Sequence, residues 1–122
     1  MTLAVPDQAA VAAVLTADDQ PAKPVLSISV IRIKPGHFEE FMALQTAHLE
    51  RIRGTVPGVR GGRMFKSAEK NTVLMVSAFD TAADGDRFRQ DPRFRDHLAR
   101  AGALIESNEA LPVELAYAIG VI

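Results

Sequence analysis

Two polar side chains stand on a helical face that otherwise reads as buried. The stretch from Lys34 to Gly54 carries Gln45 and His48, three residues apart. Stepping about 100° per residue, Phe38, Phe41, Met42, Leu49 and Ile52 fall on one side of a helix, with Leu44 at its margin. Gln45 lies near the middle of that apolar arc and His48 lies inside it. An unpaired buried polar group costs about 1–3 kcal/mol, so the two either find partners or line a cavity. In a cavity, an imidazole with a reference pKa of about 6.5 is suited to act as a base near neutrality. A glutamine one turn away is placed to bond a substrate oxygen or to fix the histidine tautomer. The structural alternative is that a backbone carbonyl or Tyr117 satisfies His48 and a strand edge satisfies Gln45.

Other residues are expected around this pair. Ser27 and Ser29 share a strand face, where they leave room and offer hydroxyls, or simply permit close helix–sheet packing. Phe38, Phe41, Met75, Phe79 and Phe94 supply an apolar, aromatic lining. His97 falls on the flank of a later helix, as an addition to the pocket wall or as a packed surface histidine. His37 sits in a loop-to-helix junction and reads as a solvated residue of the capping region.

Several chemistries are excluded. With no cysteine there is no disulfide, thiol nucleophile or Cys-based metal site. The three histidines match no metal-ligand spacing, no Gly-x-Ser-x-Gly elbow is present, and no glycine-rich phosphate loop follows a strand. Gly61-Gly62 reads as a bulge or a close approach, and the charged run from Asp84 to Asp96 as a solvated surface. A net charge of −1 with scattered basic residues gives no reason to expect nucleic acid. No run approaches the roughly 18 apolar residues of a membrane span. The apolar stretch from Ala9 to Leu15 lacks a preceding basic residue and follows Asp7, so it reads poorly as a signal peptide, and a cytoplasmic location is expected.

The elements that must hold these side chains follow from periodicity and turn chemistry. Residues 1–24 read as an N-terminal extension, a short alanine-rich helix after Pro6 and a linker from Asp18 to Pro24. The body, 25–122, opens with a strand from Val25 to Lys34. Val25, Ser27, Ser29, Ile31 and Ile33 face one way, and Leu26, Ile28 and Val30 the other. The first helix follows, broken from the strand by Pro35-Gly36 and closed at Gly54. A strand over about Gly61 to Lys66, a polar turn, and a strand from Thr72 to Phe79 make a hairpin. Thr81 caps a short helix towards Arg89, and Asp91-Pro92 starts another that runs to about Ser107 with Phe94, Leu98, Ala101 and Ile105 inward. Leu111-Pro112 ends that section, and Val113 to Val121 is expected as the last strand. The order β-α-β-β-α-β is the ferredoxin-like α+β arrangement, a four-stranded antiparallel sheet with helices on one face. Leu26, Ile28, Val30, Leu74 and Val76 leave the other face too apolar for a monomer, so a homodimer through the open sheet face is expected.

With these elements placed, residues 25–122 resemble the antibiotic biosynthesis monooxygenase family of dimeric α/β barrels. The resemblance is carried by Ile-Lys-Pro-Gly-His-Phe-Glu-Glu-Phe at 33–41, Val-Pro-Gly-Val at 56–59, Phe-Lys-Ser at 65–67 and Gln-Asp-Pro-Arg-Phe at 90–94. It implies oxygenation of a small phenolic, quinol or polyketide-like aromatic by O2 with no cofactor, His48 serving as base and Gln45 as orienter. It departs at the end of the third strand, where Phe79 replaces the usual tryptophan, and at Gly62, where a tyrosine is common. The haem-degrading branch fits poorly, since its asparagine, tryptophan and histidine fall on Ser29, Phe79 and Leu98. Two alternatives remain: an isomerase or lactone-handling enzyme using His48 as a proton shuttle, and a non-catalytic dimeric protein that binds a small apolar molecule.

Overall fold

The structure is a computed structural model and describes residues 23–121; the short helix and most of the linker expected in the N-terminal extension lie outside them. Residues 24–114 form one compact unit. Its elements are β1 (Val25–Ile33), α1 (Phe38–Ile52), β2 (Val59–Ser67), β3 (Thr72–Phe79), α2 (Ala82–Gln90), α3 (Pro92–Ala101), a short 3-10 turn (Gly102–Leu104) and β4 (Ile105–Val113). The strands form one antiparallel sheet in the order β2-β3-β1-β4. This is the expected ferredoxin-like sheet, open rather than closed on itself.

Local chemistry sets most boundaries where the sequence places them. Gly36, at φ +83°, turns the chain out of β1, and Gly54, at φ +72°, lets it leave α1. Glu39 and Glu40 lie in the first turn of α1 and Arg51 in the last, each sign at the end of the helix dipole that favours it. The Thr81 hydroxyl accepts from the Asp84 amide to start α2, and the Asp91 carboxylate accepts from the Arg93 amide to start α3. Asp84 departs from the expected solvated surface. It is buried, receives the Thr81 hydroxyl and pairs with Arg87.

The largest correction concerns the end of the domain. The helix after Asp91 stops at Ala101, not near Ser107, and the last strand is Ile105–Val113, not Val113 to Val121. The buried Leu104 sets the change of direction, its carbonyl accepting from the Lys34 amide at 2.9 Å. Glu106, Ser107, Asn108 and Glu109 have weak strand propensity, but β4 is an edge strand with largely exposed residues, where packing does not select against them. Pro112 is tolerated for the same reason, since an edge strand leaves one row of amides without a ladder partner.

Strand register divides the inner face of the sheet into two zones. Ile31 lies opposite Val73 on β3, Ser29 opposite Met75, and Ser27 opposite Ser77. At the first of these levels Ile31, Ile33, Phe38, Phe41, Val73, Ala101 and Leu104 close into the hydrophobic core. Towards Ser27 the packing opens into the cavity described next.

Candidate active site

A cavity of about 840 Å³ lies between the inner sheet face and the helices, within the size range of small-molecule sites. Ser27 and Ser29 of β1 with Met75 and Ser77 of β3 form its floor. Phe41, Phe79 and Phe94 stand in its wall, and Gln45, His48 and His97 descend from the helices. Of the residues expected at the site, all but one line this cavity. The exception is Phe38, whose side chain belongs to the hydrophobic core instead, one turn before Phe41 and at the closed end of α1.

The two imidazoles and the carboxamide are buried as deeply as the aromatic wall. His48 is 1 % exposed, His97 5 % and Gln45 7 %, while the apolar Met42, Leu44 and Leu49 beside them on α1 are only half-buried. The imidazole rings of His48 and His97 stack at 4.1 Å between centroids with 3° between their planes. His97 Nε2 lies 2.6 Å from Gln45 Oε1. A carboxamide oxygen only accepts, so His97 donates from Nε2, and that bond fixes its tautomer. Gln45 therefore orients His97, not its helix neighbour His48, and does not reach a strand edge. His48 stands differently: neither ring nitrogen has a hydrogen-bond partner among the described residues. The structural reading of His48, satisfied by a carbonyl or by Tyr117, does not hold.

Electrostatics keep both rings neutral. Burial lowers the His48 pKa below its usual 6.5; the Arg51 and Arg93 guanidiniums add to this and Asp91 opposes it. Burial, then the neighbouring His48, Arg51 and Arg100, lower His97 to about 4, against the pull of Asp96. Arg93 is itself fixed by Asp91 at 3.0 Å and by a bond to the Thr55 hydroxyl at 2.8 Å. The arrangement offers an unprotonated, unpartnered imidazole beside an aromatic cavity. Since His48 is nearly enclosed, a ligand hydroxyl meets its nitrogens only as the wall gives slightly.

His97 is the residue the sequence placed worst. The helical arc put Leu98 inward and His97 on the flank, yet Leu98 is 39 % exposed and His97 is buried. The signal was present in the α3 pattern Phe94, His97, Ala101, spaced three and four residues apart on one face. Ser77 and Phe88 also line the cavity and were not anticipated there. Nor was Asn108, whose side of β4 is set by its register opposite Ile31 and was hidden by the misplaced strand. Among the described residues no group of three His, Cys, Asp or Glu side chains is gathered for a metal ion, and no helix is long and apolar enough to cross a membrane.

Comparison with known proteins agrees with this architecture. Residues 24–100 match the family model of the antibiotic biosynthesis monooxygenases, and the chain belongs to that family. Solved structures give the same fold at low identity. A candidate antibiotic biosynthesis monooxygenase from Bacteroides thetaiotaomicron superposes with a TM-score of 0.72 at 18 % identity, covering 80 % of this chain and 94 % of that one. One from Nitrosomonas europaea gives 0.69 at 17 %, covering 80 % and 95 %. SnoaB, a cofactor-independent oxygenase from Streptomyces nogalater, crystallised as a point mutant, gives 0.68 at 15 %, covering 80 % and 98 %. No curated protein matches the chain.

Proposed function

We propose that this protein is a monooxygenase that uses O2 without a resident cofactor to oxidise a small phenolic, quinol or polyketide-like aromatic. The observation that carries the reading is His48, buried, held neutral, and with both ring nitrogens unpartnered beside an aromatic cavity. Family membership and the likeness in fold to a cofactor-independent oxygenase support it.

The chemistry follows from that site. His48 takes a proton from the substrate hydroxyl or an adjacent activated carbon, and the resulting anion passes one electron to O2. The two radicals join at a ring carbon that bears a hydrogen, the peroxide anion takes the proton back from the His48 imidazolium, and the hydroperoxide loses water as a carbonyl forms. Phe41, Phe79 and Phe94 exclude water from the radical pair, and the hydroxyls of Ser27, Ser29 and Ser77 receive substrate oxygens on the floor. The active unit is a homodimer joined through the outer sheet face, where Leu26, Ile28, Val30, Leu74 and Val76 form a row on two adjacent strands.

The stacked pair supports a second reading. Two neutral imidazoles side by side also suit an isomerase that moves a proton between two substrate carbons. Oxygen uptake by the metal-stripped protein against naphthols, anthrones and quinols, beside His48→Ala, separates the two. Uptake lost in the variant supports the oxygenase. Proton exchange into the substrate without uptake replaces it with the isomerase, and tight binding with neither would mark a carrier protein.

A further inference from the structure

The cavity has two chemically different ends. Among the described residues, its charged lining consists of Arg53, Arg60, Arg63 and Arg89 against the single carboxylate of Glu50. The whole chain carries 14 basic and 15 acidic residues, so this excess is local rather than compositional. The arginines also come from one side. Arg60 and Arg63 lie on β2, Arg53 follows the end of α1 that leads into β2, and Arg89 lies in the last turn of α2, which packs on β2 and β3. Where β4 borders the same cavity it contributes Ile105, Asn108 and Ala110, none of them charged.

An aromatic wall connects the cationic end to His48. Between ring centroids, His48 lies 6.2 Å from Phe94, Phe94 lies 5.1 Å from Phe88, and Phe88 lies 5.6 Å from Phe79. Arg89 closes the row. A β-carbon at Gly85 would stand 3.2 Å from the Phe79 ring and 3.3 Å from the Arg89 guanidinium, so the bare glycine lets both approach the same point. The floor is lined by small residues along its width, with Ser27 of β1 opposite Ser77 of β3 and Ser77 opposite Gly62 of β2. At about 4.8 Å between strands that row is about 10 Å long, the reach of two fused rings with a substituent at each end.

The guanidinium of Arg89 is open to a ligand. Its ion pair with Asp86, at 2.8 Å, joins two exposed side chains. Such pairs contribute little, and five N–H donors leave room for a second carboxylate. Arg63 donates to a neutral partner, the Gly62 carbonyl, at 2.7 Å.

We propose that the substrate is an aromatic acid: a planar ligand of two or three fused rings that presents a hydroxyl to His48 and a carboxylate to the arginines at the β2 end. Arg89 is its principal partner and Arg53 the second. A guanidinium holds a carboxylate through two parallel N–H···O bonds, which fixes the direction in which the ligand lies along the aromatic wall. The inference rests on His48 as the base proposed above and names the class of molecule it meets.

Fluorescence titration of the full chain with 6-hydroxy-2-naphthoate and with 6-hydroxy-2-naphthamide reads affinity without turnover. The carboxylate is expected to bind about tenfold more tightly than its neutral isostere, the scale of one charge-assisted contact at a partly exposed site. The isomer 3-hydroxy-2-naphthoate, whose two groups are adjacent and cannot span the cavity, should bind no better than the carboxamide. In the double variant Arg53→Gln with Arg89→Gln the preference is expected to fall towards one, whereas Arg95→Gln, which removes an arginine outside the cavity, should keep it. Equal affinity for carboxylate and carboxamide, or a preference unaltered in the double variant, overturns the anion end, and O2 uptake on neutral quinols would still leave the oxygenase standing. A preference that the double variant abolishes, with no O2 uptake on any compound, supports the anion end and overturns the oxygenase instead.

Discussion

The inner row of β1 reads Val25, Ser27, Ser29, Ile31, Ile33, and the buried face of α1 reads Phe38, Phe41, Gln45, His48, Ile52. Strand and helix alike thus serve two regions. At the Ile31–Ile33 level the molecule is closed: Val73 and Ala101 are fully buried, and Ile33 and Phe41 are 1 % exposed. At the Ser27–Ser29 level the same two layers stand apart around a cavity, and the side chains pointing inward can donate, accept or titrate. Backbone geometry does not separate the regions, because the β1–β3 register runs unbroken through both. Side-chain volume and polarity do. The closed region supplies the stability that lets the open one keep two unpartnered nitrogens in its interior.

The comparison is broken most severely from the closed side. Phe41→Ala removes a ring that is 1 % exposed and is expected to cost about 3–5 kcal/mol, the range for large-to-small core changes. Urea denaturation would read it, and a loss below about 1 kcal/mol would mean that the core does not bear on this ring. The matching change on the open side should do the opposite. His48→Phe is expected to lower turnover by about 10²–10⁴-fold, the usual contribution of a general base. Stability should hold or rise by about 1 kcal/mol, because the substitution relieves a buried ring of its unmet hydrogen bonds. A variant as unstable as Phe41→Ala would place His48 in the structural region instead.

Most of the fold was legible because its signals are local. Pro35-Gly36, Gly54, Thr81 and Asp91-Pro92 punctuate the chain where the structure does, and strict alternation gives Thr72–Phe79 to the residue. The last strand was not legible, since its four polar residues are permitted only by an edge position that periodicity does not reveal. Gln45 and His48 could be singled out as misfits on an apolar arc, a property of one helix. Their partners could not: the Gln45–His97 bond joins residues 52 apart, and the stack on His48 depends on the packing of α3 against α1.

The two regions can also be sharpened by extending one into the other. Ser29 sits between Ser27 and Ile31 on the inner row, so Ser29→Ile continues the core pattern into the cavity floor. Substrate affinity is expected to fall by about tenfold as floor volume and a hydroxyl are lost, while turnover of bound substrate changes less. Thermal stability should not drop. A stability loss without any change in KM would show that the floor is packed in the working protein.

The smallest effect isolates the stack. His97→Phe keeps a flat ring over His48 but removes the imidazole that burial, His48, Arg51 and Arg100 hold at a pKa of about 4. The acid limb of kcat/KM, which reports His48 losing its proton, should lie below pH 6.5 in the native protein and stay there in the variant, because burial, Arg51 and Arg93 lower it and all three remain. A histidine with a lowered native pKa binds its proton more readily when unfolded, so it costs the fold nothing above about 6.5 and destabilises it increasingly as pH falls. For His97 that loss runs from 6.5 down to about 4. Thermal scans across that window should therefore decline less steeply in His97→Phe than in the native chain, with carboxylate titration common to both. Parallel curves would mean that the fold does not lower the His97 pKa, and the stack would then be packing alone; an acid limb that moves in the variant would mean that His97 acts on the protonation of His48.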